Sequence, residues 1–340
     1  MVIPESKPIQ ILYHNFFYII ISMLVISSLP AQNRSQMDKK DNNPLLCDIQ
    51  TGACTTGDTV KSDVPDIKSA IKPLTIIYFT DPICSSCWGI EPQLRKLKLE
   101  YGAYFDIDYR MGGLLPDWSY NSGGISKPSD VAHHWDEVSL HYDMPIDGDV
   151  WLEDPLDSSY PPSIAFKAAQ IQDKEKAVVF LRRLRELLFL NKKNITKWPY
   201  IAEAAVAAGL DTTRLRSDYE GGAARQLFEE DLAYARKLGV RGFPSVFIAD
   251  GDQQTEFIYG TKPYVVYEGA ILKLLSEAAK EDYPRDPEAL FRKFGTMTAR
   301  EYAVLSGLER RQAEADLDRL ADAGKVRVIK TKNGNMYSGI

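Results

Sequence analysis

The segment "TIIYFTDPICSSCWGIEPQLRKL", Thr75 to Leu97, constrains the fold more than any other part of the chain. The β-branched and aromatic run Leu74 to Phe79 reads as a buried strand. It stops at Thr80-Asp81-Pro82, a turn signal. Cys84 and Cys87 follow at C-x-x-C spacing, and apolar residues then recur at helical spacing to about Tyr101. A thiol pair at a strand-to-helix junction has a definite chemical use. The thiolate, not the thiol, attacks a disulfide. Unpaired amides at a helix start favour a negative sulfur on the first cysteine. The second, one turn on, is close enough to resolve a mixed disulfide. The spacing therefore makes Cys84 the nucleophile and Cys87 the resolving thiol, with Asp81 in the turn and Trp88 shielding the helix start.

The remaining elements fall in an order that narrows the architecture. "FDIDYRMGGLL" (Phe105 to Leu115) alternates Phe105, Ile107 and Tyr109 on one face, as a strand does. From Asp130 to Leu238 the period is helical. In "KEKAVVFLRRLRELLFLNKKN", Val178, Leu181, Leu184, Leu188 and Phe189 share a face, while Arg182, Arg183 and Arg185 fall elsewhere. "RGFPSVFIADG" returns to a strand, "TEFIYG" pairs with it across an Asp-Gly turn, and a helix follows from about Tyr264 to Ala279. Strand, CxxC helix, strand, helices, strand, strand, helix is the order of an α/β thioredoxin fold at 73–280 with an inserted helical domain at about 128–238. Proteins of that fold set a cis-proline opposite the cysteines. An X-Pro bond adopts cis more cheaply than any other peptide, and Pro244 stands before the apolar strand. Asp81, Trp88 and Phe243 are then expected along a substrate groove.

The termini read differently. Phe16 to Leu29 is apolar but short of the ~20 residues of a membrane span, so no stable span is expected. Three readings stay open for 1–36: an extension upstream of a true start at Met37, a signal peptide or anchor, or a folded element. Lys7 is the only Lys or Arg before the run and Leu29 takes the place of a small residue, which favours the first and a cytoplasmic address over a periplasmic one. Residues 37–72 are polar and interrupted by Pro44 and Pro65, and read as a mobile or loosely docked arm. The arm carries Cys47 and Cys54, the other two of only four cysteines. A disulfide or two free thiols is one reading of that pair; a metal or redox relay is the other, although two ligands do not close a tetrahedral zinc site.

The quoted motifs, together with "GVRGFPSVFI", "HWDEVSLHYDMPIDGDVWLEDPLDSSYPPSIAFKAAQ" and "FLRRLRELLFLNKKNITKW", resemble the DsbA-like branch of the thioredoxin superfamily. More narrowly they resemble the group that holds the ClpXP adapters of the SpxH (YjbH) type and bacterial dithiol-disulfide isomerases. The resemblance runs from about Leu74 to Ala279. It implies that Cys84 and Cys87 form the redox pair and Pro244 is the cis-proline. It also implies two activities. The first is thiol–disulfide exchange on a polypeptide or small-molecule disulfide, with no organic cofactor; the adapters also carry a Cys/His-rich, metal-binding N-terminal segment, of which this chain has only Cys47 and Cys54 and no His. The second is an adapter that binds a client such as a transcription factor and delivers it to the ClpXP protease.

Two lesser features remain. His133, Glu137 and His141 recur at one-turn spacing, a stripe that reads as a solvated face sooner than as a metal site. The segment 286–340 has two helical stretches and a Val/Ile hairpin broken at Asn333-Gly334, and resembles a small winged-helix domain. Its second helix, about Arg310 to Ala323, carries Glu314, Asp316, Asp318 and Asp322, and the chain's net charge is −6. Those charges repel a polyanion, so DNA is not the expected partner.

Overall fold

The computed structural model describes residues 47–48, 52–55, 72–119, 126–251 and 254–340. The apolar run at Phe16 to Leu29, Met37 and most of 37–72 lie outside the described residues. Two short strands come first, β1 (Cys47–Asp48) and β2 (Ala53–Thr55). Then come β3 (Leu74–Thr80), α1 (Ser85–Gly89), α2 (Glu91–Tyr101) and β4 (Phe105–Met111). Seven helices follow: α3 (Pro128–Tyr142), α4 (Val150–Glu153), α5 (Tyr160–Gln172), α6 (Lys174–Phe189), α7 (Trp198–Ala207), α8 (Thr212–Glu220) and α9 (Ala223–Lys237). The chain returns through β5 (Gly242–Phe243), β6 (Ser245–Asp250), β7 (Thr255–Tyr259) and α10 (Tyr264–Leu274). It ends with α11 (Pro287–Phe294), β8 (Thr296–Thr298), α12 (Ala299–Ser306), α13 (Arg310–Asp322), β9 (Val326–Thr331) and β10 (Gly334–Gly339).

The central sheet has the order β4-β3-β6-β7. β3 lies parallel to β4 and antiparallel to β6, and β6 is antiparallel to β7. Parallel neighbours need a crossover, which α1 and α2 supply. A strand in the middle of a sheet covered on both faces is apolar along its length. Ile76, Tyr78 and Phe79 accordingly show no exposed surface. Each such side chain contributes about 1.5–3 kcal/mol by leaving water.

The helix expected from Cys84 to Tyr101 is two helices. Pro92 sits in the first turn of α2 and has no N–H to continue the ladder from α1, so the chain re-starts at Ile90. α6 forms as its apolar period directs. The Asp173 carboxylate caps it by accepting from the Glu175 and Lys176 amides. Its arginines do not all face solvent, however: Arg182 and Arg185 are buried.

Two further sheets complete the fold. β1 and β2 form a hairpin that joins β5, so residues 53 and 54 of the arm are docked and fully buried. β8, β10 and β9 form an antiparallel sheet over α11, α12 and α13. Leu290, Phe291, Met297, Tyr302, Leu305 and Leu317 make a second core, which Leu99 of α2 joins. Among the described residues no helix is long and apolar enough to cross a membrane.

A buried charge cluster ties this second core to the first. The Glu301 carboxylate accepts from Arg182 Nη1 and Nη2 at 2.9 and 3.0 Å. Arg95 Nη1 lies 3.2 Å from the same carboxylate. Glu301 also closes a capping box with Thr298 at the start of α12. Removing one partner from such a cluster leaves an uncompensated buried charge. Glu301→Ala is therefore expected to lower unfolding stability by roughly 3–5 kcal/mol in a denaturant titration; a loss below about 1 kcal/mol, the value of an exposed pair, contradicts the cluster's role.

Candidate functional site

Cys84 is the N-cap of α1. Its φ and ψ of −77° and 108° are extended, and its Sγ accepts the Cys87 N–H at 3.1 Å. Both thiols are free, and both are fully buried. The Phe243–Pro244 peptide is cis. β2 links this step to the thiols: Cys54 stands opposite Phe243, and its Sγ lies 3.5 Å from Cys84 Sγ.

Asp81, Trp88 and Phe243 do not line an open groove, because all three are buried. The Asp81 carboxylate accepts from the Ile83 amide at 3.0 Å, the Leu114 amide at 2.8 Å and Ser159 Oγ at 2.9 Å. It pins the loop before α1 to the loop after β4 and to the start of α5. Trp88 turns inward: its indole N–H donates to the Pro145 carbonyl at 3.1 Å, and the Arg182 guanidinium lies 4.2 Å over its ring. The Phe243 ring packs onto Gly112, where a Cβ would come within 1.8 Å of it. Only glycine admits that approach.

Arg185 is the residue under the thiols that helical periodicity alone places elsewhere. Its Nη1 reaches Glu91 at 2.5 Å, and its Nη2 donates to Thr80 Oγ1 at 2.6 Å and to the Asp81 carbonyl at 3.2 Å. Its partners lie up to 105 residues away, so nothing local signals them. An Arg on the helix whose stripe faces the sheet was the available hint. His133, Glu137 and His141 lie on the exposed face of α3, with His133 Nε2 3.3 Å from Glu137. Ser158 caps the start of α5 by accepting the Tyr160 amide.

The electrostatics of the pair depart from the expectation of a low Cys84 pKa. Burial pushes the Cys84 thiol well above its ordinary value, and the hydrogen bond it shares with Cys87 adds to this. The Cys87 amide and the Arg185 charge pull the other way and are outweighed. For Cys87, burial also acts upward, but the hydrogen bond from Cys84, the Arg185 charge and hydrogen bonds from Thr80 and Tyr78 bring it below the ordinary thiol value. Of the two thiols, Cys87 is therefore the more readily ionised. Such a pair is equipped for disulfide exchange once the Cys84 proton is transferred.

One further cysteine stands at this site. Cys54 of β2 is disulfide-bonded, and its Sγ lies 3.5 Å from Cys84 Sγ.

Comparison with known proteins gives the same scaffold. The family model Thioredoxin_5, described as thioredoxin, matches residues 78–269. The ClpXP adapter protein SpxH of Halalkalibacterium halodurans is 36% identical over 301 residues, covering 87% of this chain and 97% of that protein. The ClpXP adapter protein SpxH of Bacillus subtilis is 29% identical over 273 residues, covering 79% of this chain and 90% of that protein. A proposed protein disulfide isomerase of Nitrosomonas europaea superposes with a TM-score of 0.51 at 21% identity, over 60% of this chain and 97% of that one, a likeness of fold. The chain belongs to the thioredoxin superfamily, close to the SpxH proteins.

Asp81 supplies a pH-dependent test of the site's framework. Burial raises its pKa from 3.8 to about 6, against the three hydrogen bonds it accepts. Between those values the folded chain holds a proton that the unfolded chain has released. The stability owed to this group is therefore present at the acid end and falls as pH rises through the window. Asp81→Asn has no such proton. Denaturant unfolding at about pH 4 and about pH 7 is expected to show the variant gaining on the parent by roughly 2–3 kcal/mol across the window; a difference that does not change with pH overturns the assignment.

Proposed function

We propose that this thioredoxin-superfamily chain is an adapter that binds a client protein and presents it to the ClpXP protease, on a scaffold that keeps a dithiol pair. The observation that carries the reading is the 36% identity to a ClpXP adapter protein SpxH across 97% of that protein's length. An adapter acts by raising the client's effective concentration at the protease, an effect that reaches about 10²–10⁴-fold when two sites are engaged together. In this reading the client is a protein such as a transcription factor, and the chain works in the cytoplasm. Residues 73–280 form the thioredoxin unit, with the helical insertion at about 128–238. Residues 286–340 form a winged-helix-like unit that docks protein rather than DNA. Acidic α13 supports that choice: Glu314, Asp316, Asp318 and Asp322 lie along it.

A second reading is thiol–disulfide exchange, favoured by Cys84 at the start of α1, the Cys87 amide hydrogen-bonded to its sulfur and the cis Phe243–Pro244 peptide. Cys84 attacks, Cys87 resolves and Pro244 positions a polypeptide or small disulfide. The two readings separate cleanly when both thiols are removed. With purified ClpXP and a client captured by the full chain, the parent is expected to speed client degradation by at least about tenfold. The Cys84→Ser/Cys87→Ser variant is expected to retain that effect. Loss of the effect in the variant, alongside loss of disulfide reduction, assigns the function to exchange instead.

A further inference from the structure

The arm adds a strand at the β5 edge beside the thiols. Strand addition to an exposed edge is a common mode of peptide recognition, with main-chain pairing holding the ligand. Here the added strand is β2: Cys54 stands opposite Phe243 and Thr55 opposite Gly242, directly before Pro244. The turn entering β2 is anchored as well. The Gly52 carbonyl accepts from the Thr261 amide at 2.7 Å and from Thr261 Oγ1 at 2.9 Å. Gly52 has a φ of 68°, and a Cβ there would lie 2.7 Å from the Thr261 nitrogen. This register sets Cys54 Sγ 3.5 Å from Cys84 Sγ and 3.5 Å from Ser86 Oγ. Two sulfurs at that separation are at the edge of attack distance, about 3–3.5 Å. Cys54 is in a disulfide while Cys84 and Cys87 are thiols, so donor and acceptor of an exchange already face each other. In the hairpin register Cys47 stands opposite Cys54.

We propose that Cys54 is a third redox residue of this protein: its disulfide is an internal substrate of the Cys84–Cys87 pair. The exchange balances without an outside oxidant. In the singly ionised pair the Cys84 proton passes to Cys87 along the hydrogen bond between them, and the Cys84 thiolate attacks Cys54 Sγ. The Cys54 disulfide breaks, its other sulfur leaves as a thiolate and takes up the proton from Cys87. Cys87 thiolate then attacks Cys84 Sγ, the Cys84–Cys54 bond breaks, and Cys54 leaves as a thiolate that is protonated by solvent. Two electrons have moved from the CxxC pair to the arm; the reverse sequence returns them. While the hairpin is docked it also holds the edge that an outside disulfide would need, so the arm and any outside disulfide compete for Cys84. None of this depends on delivery to a protease.

The test uses the full-length chain, prepared with the Cys54 disulfide intact and the CxxC pair reduced, and kept free of oxygen. Samples are acid-quenched, alkylated and mapped as non-reduced peptides. The expected result is the appearance of a Cys84–Cys87 disulfide matched one for one by loss of the Cys54 disulfide, at a rate independent of protein concentration. In Cys87→Ala the second step is removed, and a Cys54–Cys84 peptide pair is expected. In Cys54→Ser no Cys84 disulfide is expected without added oxidant. Failure of the parent to redistribute its disulfide overturns the proposal, whether or not the Cys87 variant folds. A rate proportional to protein concentration overturns it too, because the exchange then runs between molecules.

Discussion

A guanidinium shut away from water beneath two thiols is the constraint from which the site is built. Arg185 is fully buried, and burial acts against its charge. Isolated, a buried ion costs several kcal/mol. It is held charged because Glu91 lies beside it and the thiol pair draws on it. The same contacts fix geometry. Thr80 and the Asp81 carbonyl end β3, Glu91 begins α2, and Arg185 itself belongs to α6. One side chain thus joins the central sheet, the CxxC helix and the helical layer. Arg182, one turn earlier, repeats the device: it lies over Trp88 and pairs with Glu301, which carries the connection into the C-terminal core.

Magnitudes decide which thiol ionises more readily. A helix start stabilises a negative group by about 0.3–1 kcal/mol when exposed, and α1 is only five residues long. Full burial of Cys84, with Cys54 of β2 against its sulfur, is the larger effect and pushes its thiol up. Cys87 is no less buried but has Arg185, Thr80 and Tyr78 directed at it. Taking β2 away would remove the sulfur that lies against Cys84 and lessen the burial that opposes its ionisation, leaving the favourable Cys87 amide in place. The arm is therefore an electrostatic element of the site as well as a steric one.

What was legible in the sequence was local. The β-branched run before Asp81-Pro82, the CxxC at a helix start, the period of α6, the hairpin break at Asn333-Gly334 and the Phe-Pro step each depend on residues within a few positions. The strand, the helix start, the α6 period and the Phe243–Pro244 step fall where they were read; the hairpin turns one residue earlier, at Lys332-Asn333, because Thr331 pairs with Gly334. The double helix in place of one from Cys84 was also local, written in Pro92. What was not legible depends on distant partners. Arg185 and Arg182 look like surface charges until Glu91 and Glu301 are brought beneath them, 94 and 119 residues away. Asp81 and Trp88 look like groove residues until Ser159, Leu114 and Pro145 enclose them. The polar composition around Cys54 suggests a loose arm, and nothing near it announces that Phe243 will receive it as a strand.

The docked hairpin lies against Cys84, whose thiol is fully buried. The most direct measurement is the rate at which iodoacetamide alkylates Cys84 in the intact chain, compared with Gly52→Val. That substitution touches no thiol. It places a side chain at a left-handed φ, costing about 1–2 kcal/mol, and drives it against the Thr261 backbone. Slow alkylation is expected in the parent and a rate at least about tenfold higher in the variant, the factor that about 1.4 kcal/mol of lost docking supplies. Equal rates would show that the hairpin does not govern access to Cys84.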